Sequence, residues 1–238
     1  MTLVLHHKEF VSARLGPVWH DLLSRGYAVL NEALLGIPKT VRHHLLDTYF
    51  NSGVLEADLP AVHTDRDRAR DVVRYQWAGR RLWLSEHDTV EILDRGGFAG
   101  PRTPARVELL SDPLAVRFIE RGLALVPPSL RQQKGTFGIN LFRTRSRVVT
   151  GHHRDYEEFI LVYLLDKQGS GGAETRLHDS VDPSHIIFRK TLSPGDLIIF
   201  RDNLFLHSVT PLSNSAGGRS VRDALVCTVN YPETYTYL

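Results

Sequence analysis

Gly151-His-His-Arg-Asp155, Phe205-Leu-His-Ser-Val-Thr-Pro211 and Val221-Arg-Asp-Ala-Leu-Val226 belong to one stretch, residues 151–231, and its reading decides the fold. Apolar runs separate these polar segments: Phe159-Ile-Leu-Val-Tyr-Leu-Leu165, Leu197-Ile-Ile-Phe200 and Ala224-Leu-Val-Cys-Thr-Val-Asn-Tyr231. Gly169-Ser-Gly-Gly172, Ser193-Pro-Gly195 and Ser213-Asn-Ser-Ala-Gly-Gly218 supply turn residues between them. Short apolar runs bounded by Gly and Pro read as buried strands. Further strands are expected at Gly135–Arg143, Glu174–Leu177 and Ile186–Lys190. Strands at this spacing, preceded by helices, predict an α+β chain that is mainly β, with two facing sheets and helices packed behind one of them.

His153 and Asp155 are two residues apart. On an extended strand they share a face, roughly 7 Å apart along the chain, with Arg154 pointing the other way. Two such ligands leave a divalent ion mostly hydrated. His207, expected just past the end of the strand that ends at Phe200, is the candidate third. A lone His-x-Asp is equally a surface histidine beside a solvated acid; the turn-strand-His context of His207 is what favours a site. Two His and one carboxylate form the facial triad of non-heme iron(II) oxygenases, which keeps open positions on the metal. After the loop at 213–218, an antiparallel return carries Arg222 back toward that centre. A guanidinium suits the distal carboxylate of a 2-oxo diacid. The alternatives are that Arg222 pairs with Asp223 or a surface acid, or that Arg219 plays its part.

Residues 137–235 resemble the 2-oxoglutarate- and iron(II)-dependent dioxygenases that hydroxylate free amino acids, the group containing bacterial L-isoleucine 4-hydroxylase. The resemblance rests on His153-Arg-Asp155, Gly171-Gly172, His207-Ser-Val-Thr-Pro211, Val221-Arg-Asp-Ala-Leu-Val226 and Tyr231-Pro-Glu-Thr234. It implies a double-stranded β-helix (jelly-roll, cupin-like), with His153, Asp155 and His207 as iron ligands and Arg222 as the 2-oxoglutarate arginine. It implies iron(II), 2-oxoglutarate and O2 as cofactor and cosubstrates, and release of succinate and CO2. Arg74-Tyr75 is similar to an Arg/Tyr stretch of the family.

The chain has 238 residues, of which 42% are hydrophobic and 24% charged, ordinary values for one soluble domain. Residues 1–130 are expected to form a helix-rich part and 135–238 the catalytic core. A net charge of +2 gives no strong field for nucleic acid or an anionic membrane. Cys227 is the single cysteine, so no internal disulfide forms, and it is expected in the core. No signal peptide and no membrane-spanning run is visible, which predicts a cytoplasmic protein. No phosphate loop and no nucleophile elbow is present. Composition is silent on oligomeric state.

Upstream, Pro17–Arg25 is expected as a helix with Pro17 in its first turn, followed by a strand at Tyr27–Leu30. Ile37–Phe50 is expected as a second helix with His43 and His44 exposed. Residues 51–71 read as loop, with the alternating acids and arginines of Asp65–Asp71 solvated. Val72–Leu84 reads as strands around Ala78-Gly79, and residues 94–105 as loop. Asp112 is expected to cap a helix from Pro113 to about Leu125.

A small free amino acid needs a cation for its carboxylate and an acceptor for its ammonium. Arg143 and Arg74 are the candidate cations, with Tyr75 and Asn140 as further lining residues. Glu157 is the candidate acceptor, because on a regular strand it shares the face of His153 and Asp155. The alternatives are the same chemistry on a carrier- or peptide-bound residue or natural-product intermediate, a metal cupin that needs no 2-oxoglutarate, and a non-catalytic β-sandwich. Cupins usually carry a His-x-His, whereas His152 and His153 point to opposite faces of a strand.

Overall fold

The computed structural model describes residues 2–6, 10–58, 65–92, 103–145, 150–169, 171–213 and 220–230. Its strands are β1 (Thr2–His6), β2 (Tyr27–Asn31), β3 (Glu56–Ala57), β4 (Arg66–Ala78), β5 (Arg81–Glu86), β6 (Lys134–Thr144), β7 (Thr150–His153) and β8 (Phe159–Gln168). They continue with β9 (Gly171–Gly172), β10 (Glu174–Asp179), β11 (Ile186–Thr191), β12 (Asp196–Arg201), β13 (Phe205–Val209), β14 (Leu212–Ser213) and β15 (Val221–Val229). The helices are α1 (Phe10–Ser24), α2 (Glu32–Leu35), α3 (Lys39–Tyr49) and α4 (Pro113–Ala124). The fold is mainly β, and its named strand pairs are all antiparallel.

β8 as far as Leu165, and β15 from Ala224 on, are nearly continuous apolar runs and are buried on both faces, as central strands must be. They sit in the middle of a large sheet ordered β1-β5-β4-β6-β15-β8-β12-β2. One face of it carries Leu161, Tyr163, Leu225, Cys227, Ile139 and Val73, which pack with Leu22, Val41, Phe118 and Ile119 of the helices in one apolar core. The other face carries Ile160, Val162, Leu164, Ile198, Phe200 and Ala224, which pack with Leu177 and Phe205 of a second sheet ordered β11-β10-β13-β7. Each fully buried Leu, Ile or Phe contributes roughly 1.5–3 kcal/mol, so the two apolar layers fix the sheet faces.

The helices form as the caps dictate, with shifted boundaries. Asp112 Oδ1 accepts the Leu114 N–H and starts α4 at Pro113. α1 begins seven residues before Pro17, so Pro17 lies inside it and removes one helical hydrogen bond. Ile37 stands outside α3, between the left-handed Gly36 cap and Pro38, although it is buried. His43 is exposed as expected, but His44 is half-buried, with Nε2 2.6 Å from Asp112 Oδ2. The Tyr49 hydroxyl donates to the same oxygen, so one carboxylate pins α3 to α4.

The largest departure lies at Asp65–Asp71. From Arg66 on, this segment is the first half of β4, paired with β6, and Arg68, Arg70 and Asp71 are buried. Its acid/arginine alternation is a strand period that sends acids to one face and arginines to the other. Asp71 accepts the backbone N–H groups of Val72 and Leu109, and burial pushes its carboxyl up to about 7. The N-terminal part thus supplies β1 to β5 to the large sheet as well as helices. Cys227 is buried, and burial raises its thiol well above the ordinary range. No helix among the described residues is long and apolar enough to cross a membrane.

Candidate active site

β13 pairs with β10 on one side and β7 on the other, and the register sets His207 opposite His153. The two rings are 4.2 Å apart. β7 ends at His153, and residues 154–158 leave the ladder through Tyr156, whose φ of 65 is left-handed. The shared-face argument for Asp155 therefore fails: a turn just past the strand, and not the strand itself, brings its carboxylate back. Asp155 Oδ1 is 3.5 Å from His153 Nε2, and Oδ2 is 3.5 Å from His207 Nε2. The three ligand atoms all lie within 4.8 Å of one another, a spacing one metal ion can bridge. Two neutral nitrogen donors and one carboxylate, all half-buried, suit iron(II) with positions left open. His152 points to the opposite face, toward His178, with ring centroids 5.7 Å apart.

The charges around this cluster are strongly coupled. Burial opposes the negative charge of Asp155, but hydrogen bonding to His207 and the charges of His207, His153 and Arg68 outweigh it and hold the carboxyl below the usual range. Burial and the charge of His207 lower His153. Burial also opposes charge on His207, yet Asp155 and Asp202 together push it up to about 9. Asp202 is fully buried, with Oδ1 3.4 Å from His207 Nδ1, and its Oδ2 accepts the Glu157 N–H. It therefore sits behind the ligand ring and holds the turn that carries Asp155. Phe200 closes the inner side, 5.2 Å from the His207 ring.

Arg222 lies on β15 between Thr144 of β6 and Lys167 of β8, on the face that carries Ala224 and Val226 toward the second sheet. It is 4% exposed, and its guanidinium makes no hydrogen bond or ion pair with the described residues. Burial pushes it down to about 10, against the pull of Asp223. Asp223 faces the other way and takes two hydrogen bonds from Arg143, at 2.9 and 2.7 Å. The neighbour that could have neutralised Arg222 is thus engaged elsewhere.

Several expected site residues are placed apart from this cluster. Arg143 is on the opposite sheet face from Arg222, because it stands in register with Asp223, the next residue along β15. Arg74 donates to the Glu86 carbonyl and to Asp88, and lines a cleft of about 330 Å³ with Thr2, Gln76, Trp83 and Lys134. Tyr75 is buried, and its hydroxyl donates to Asn230 Oδ1 at 2.8 Å. Glu157 is buried near the cluster, but through the turn at Tyr156 and not through strand alternation. Asn140 does face inward: its Oδ1 accepts from Arg68 at 2.6 Å and Arg70 at 2.8 Å, and its Nδ2 donates to the Val226 carbonyl. Arg219, Tyr231-Pro-Glu-Thr234 and most of the 94–105 segment lie outside the described residues. Sequence reasoning missed Asp202, Arg68 and Arg70. The period-two arginines of Asp65–Asp71 were the available signal for the last two.

Residues 90–228 match the family of 2OG-Fe dioxygenases. The chain belongs to this family. It is a 2-oxoglutarate-dependent non-heme iron dioxygenase, whose chemistry uses iron(II), 2-oxoglutarate and O2. Among solved structures, this dioxygenase is similar to a bsmA homolog from Methylobium petroleophilum, at 20% identity and TM-score 0.79, with 92% of this chain and 93% of that one covered. It is similar to IDO from Bacillus thuringiensis at 17% identity and TM-score 0.72, covering 92% and 96%. A prolyl-4-hydroxylase from Pseudomonas putida aligns at 15% identity and TM-score 0.54, covering 91% and 98%. At these identities the likeness concerns the fold. No curated protein matches the chain in sequence.

Proposed function

We propose that this dioxygenase hydroxylates an unactivated C–H bond of a small free amino acid or close derivative, with His153, Asp155 and His207 as iron ligands and Arg222 as the cosubstrate clamp. The observation that carries the site assignment is the convergence of the three ligand atoms within 4.8 Å, together with a buried guanidinium that no described residue neutralises. The facing antiparallel sheets, with the triad on the smaller one, are read as a double-stranded β-helix. Residues 1–238 are read as one domain.

Iron(II), when bound, couples decarboxylation of 2-oxoglutarate to succinate with insertion of one oxygen atom into substrate. The chain's own parts do the rest. His153 and His207 offer neutral nitrogens, which requires His207 to give up its proton. Asp155 stays ionised because the imidazoles favour its charge. Arg222 presents two parallel donors to a distal carboxylate in a dry setting, where a charge-assisted fork is strong. Phe200, Ile160, Val162 and Ala224 exclude water from the space between the sheets. Glu157 remains the proposed acceptor for a substrate ammonium.

The free amino acid is supported by the sequence resemblance at 137–235, not by the fold. A screen of free amino acids tests it, following substrate-stimulated succinate formation and a product heavier by one oxygen atom. Turnover of a peptide- or carrier-bound residue with none of the free compounds would reject it.

A further inference from the structure

A bulge in β8 decides which side chain stands beside Arg222. Ala224 of β15 is in register with Leu164, but Asp223 is in register with Asp166, so Leu165 is an extra residue in β8. Its carbonyl accepts from Arg42 Nη1 at 3.0 Å. Leu164 lies on the face toward the second sheet. Counting by twos from Leu164 would send Lys167 to the opposite face. The extra residue resets the count, and Lys167 becomes the register partner of Arg222 on the face toward the second sheet. Directly opposed residues have Cβ atoms about 4.5–5.5 Å apart, so two long cationic side chains run side by side there.

No acid stands in this row. On its other side Arg222 has the buried Thr144, and beyond that Arg66, which pairs with Asp58. Asp166 and Asp223 oppose one another on the far side of the sheet, where Asp223 is held by Arg143. Among the described residues the Lys167 ammonium has one hydrogen-bonding partner, the Gly172 carbonyl, at 3.0 Å. That acceptor is fixed in place by the pairing of β9 with β14, Gly172 opposite Leu212. An ammonium has three donors, so this bond aims the group and leaves two donors over. Burial, and then the charge of Arg222, lower Lys167, while burial lowers Arg222 to about 10. Both directions are those of cations held without a carboxylate.

We propose that Lys167 is a second cation for the distal carboxylate of 2-oxoglutarate, binding it beside Arg222 with the donors that Gly172 leaves over. This rests on the reading of Arg222 as the cosubstrate clamp and adds a specificity residue to it. It gives the bulge at Leu165 and the Gly171-Gly172 pair a function: the first turns Lys167 onto the face of Arg222, and the second holds its ammonium in position. Two cations at the far end of the pocket select a 2-oxo diacid over a 2-oxo acid that ends in a methyl group.

The test uses full-length protein loaded with Mn(II) in the absence of oxygen, titrated by calorimetry with 2-oxoglutarate and with 2-oxovalerate, which has the same chain length and no distal carboxylate. Lys167→Gln keeps a donor for the Gly172 carbonyl and removes the charge. It is expected to weaken 2-oxoglutarate about tenfold or more, the smallest loss expected for a charge-assisted bond, and to leave 2-oxovalerate unchanged. Lys167→Arg restores the charge and should recover most of the loss. Circular dichroism checks the fold, and Lys167→Met is read in the same way if the glutamine variant does not fold. A lysine that only tethers the hairpin predicts native binding of both acids in Lys167→Gln. That result, an equal loss for both acids, no recovery in Lys167→Arg, or failure of both neutral variants to fold overturns the proposal. Arg222→Met separates it from the reading beneath it. Native binding of 2-oxoglutarate in Arg222→Met would sink the Arg222 clamp, whereas a loss there beside native binding in Lys167→Gln would sink the role of Lys167 alone.

Discussion

Asp202 Oδ1 stands 3.4 Å from His207 Nδ1, while Asp155 Oδ2 stands 3.5 Å from Nε2 of the same ring. One imidazole is thus held between two carboxylates, one beside the proposed metal position and one buried behind it. A carboxylate behind a ligand histidine fixes its tautomer and its orientation. Asp202→Asn keeps the shape and removes the charge. It is expected to lower metal affinity about 10–100-fold with the fold retained. Anaerobic titration with Fe(II) or Mn(II), beside circular dichroism, checks this; unchanged affinity would leave Asp202 only as a support for the turn at 154–158.

The same clamp sets a pH dependence. The two carboxylates push His207 up to about 9, so in chelator-treated protein the ring keeps its proton at neutral pH. A metal must displace that proton, so apparent metal affinity should rise with pH, by up to about tenfold per unit, and level off above the raised value. The stability that the protonated ring contributes to metal-stripped protein runs the opposite way. It is fully present below the unfolded value of about 6.5 and is lost as pH rises through about 9. Metal titrations and melting curves across this window measure both trends. A flat metal affinity would refute the clamp.

His153→Ala and His207→Ala each remove a nitrogen donor from a three-ligand set and should abolish succinate formation and metal uptake together. Asp155→Asn keeps an oxygen donor but loses the charge, so metal binding should weaken. Metal analysis by atomic absorption, with circular dichroism as a fold check, separates loss of ligand from loss of structure. Full metal occupancy and turnover in either histidine variant would move the site elsewhere.

The triad was legible because its residues sit beside strong strand and turn signals. His207 follows an unmistakable buried strand, and Asp112 and Pro113 announce their helix. The route by which Asp155 joins was not legible, because a left-handed residue at Tyr156 leaves no period to read. Arg68 and Arg70 were hidden for a different reason. Mixed charge usually marks a solvated face, and only tertiary pairing of β4 with β6 shows that the arginines all turn inward. Asp202 lies in a turn with no local pattern and acts through space on a residue five positions on.

Gly172 shows where backbone conformation is demanded. Its φ is 74, and a Cβ there would sit 1.9 Å from the Pro211 carbonyl oxygen, a backbone atom that cannot step aside. Its own carbonyl accepts from Lys167, the register neighbour of Arg222. Gly172→Ala should cost about 1–3 kcal/mol in strain, a fall in Tm of about 2–12 °C. Gly16→Ala, in α1 with nothing within 4 Å of the added methyl, should instead be neutral or stabilising. Thermal melts of the two variants give the contrast, and equal shifts would refute it.

Arg222 supplies a test in which stability and function move in opposite directions. An arginine that serves structure loses stability when removed, because its partner is left behind. Arg222 is buried without a hydrogen-bonding partner among the described residues, so it carries a desolvation cost that its removal relieves. Arg222→Met should therefore melt at the same temperature as the native protein or higher when 2-oxoglutarate is absent. The same variant should lose the cosubstrate's carboxylate contact, at about 2–5 kcal/mol, and so raise the KM for 2-oxoglutarate from about thirtyfold to several-thousandfold. Arg222→Lys keeps a charge but not the fork, and should fall between the two. Arg143→Met is the contrasting case. It strands the buried Asp223 carboxylate and should lower Tm while leaving the KM for 2-oxoglutarate near the native value. Melting curves with and without 2-oxoglutarate, read beside KM, decide the matter: a destabilised Arg222→Met with unaltered cosubstrate dependence would make Arg222 a structural residue.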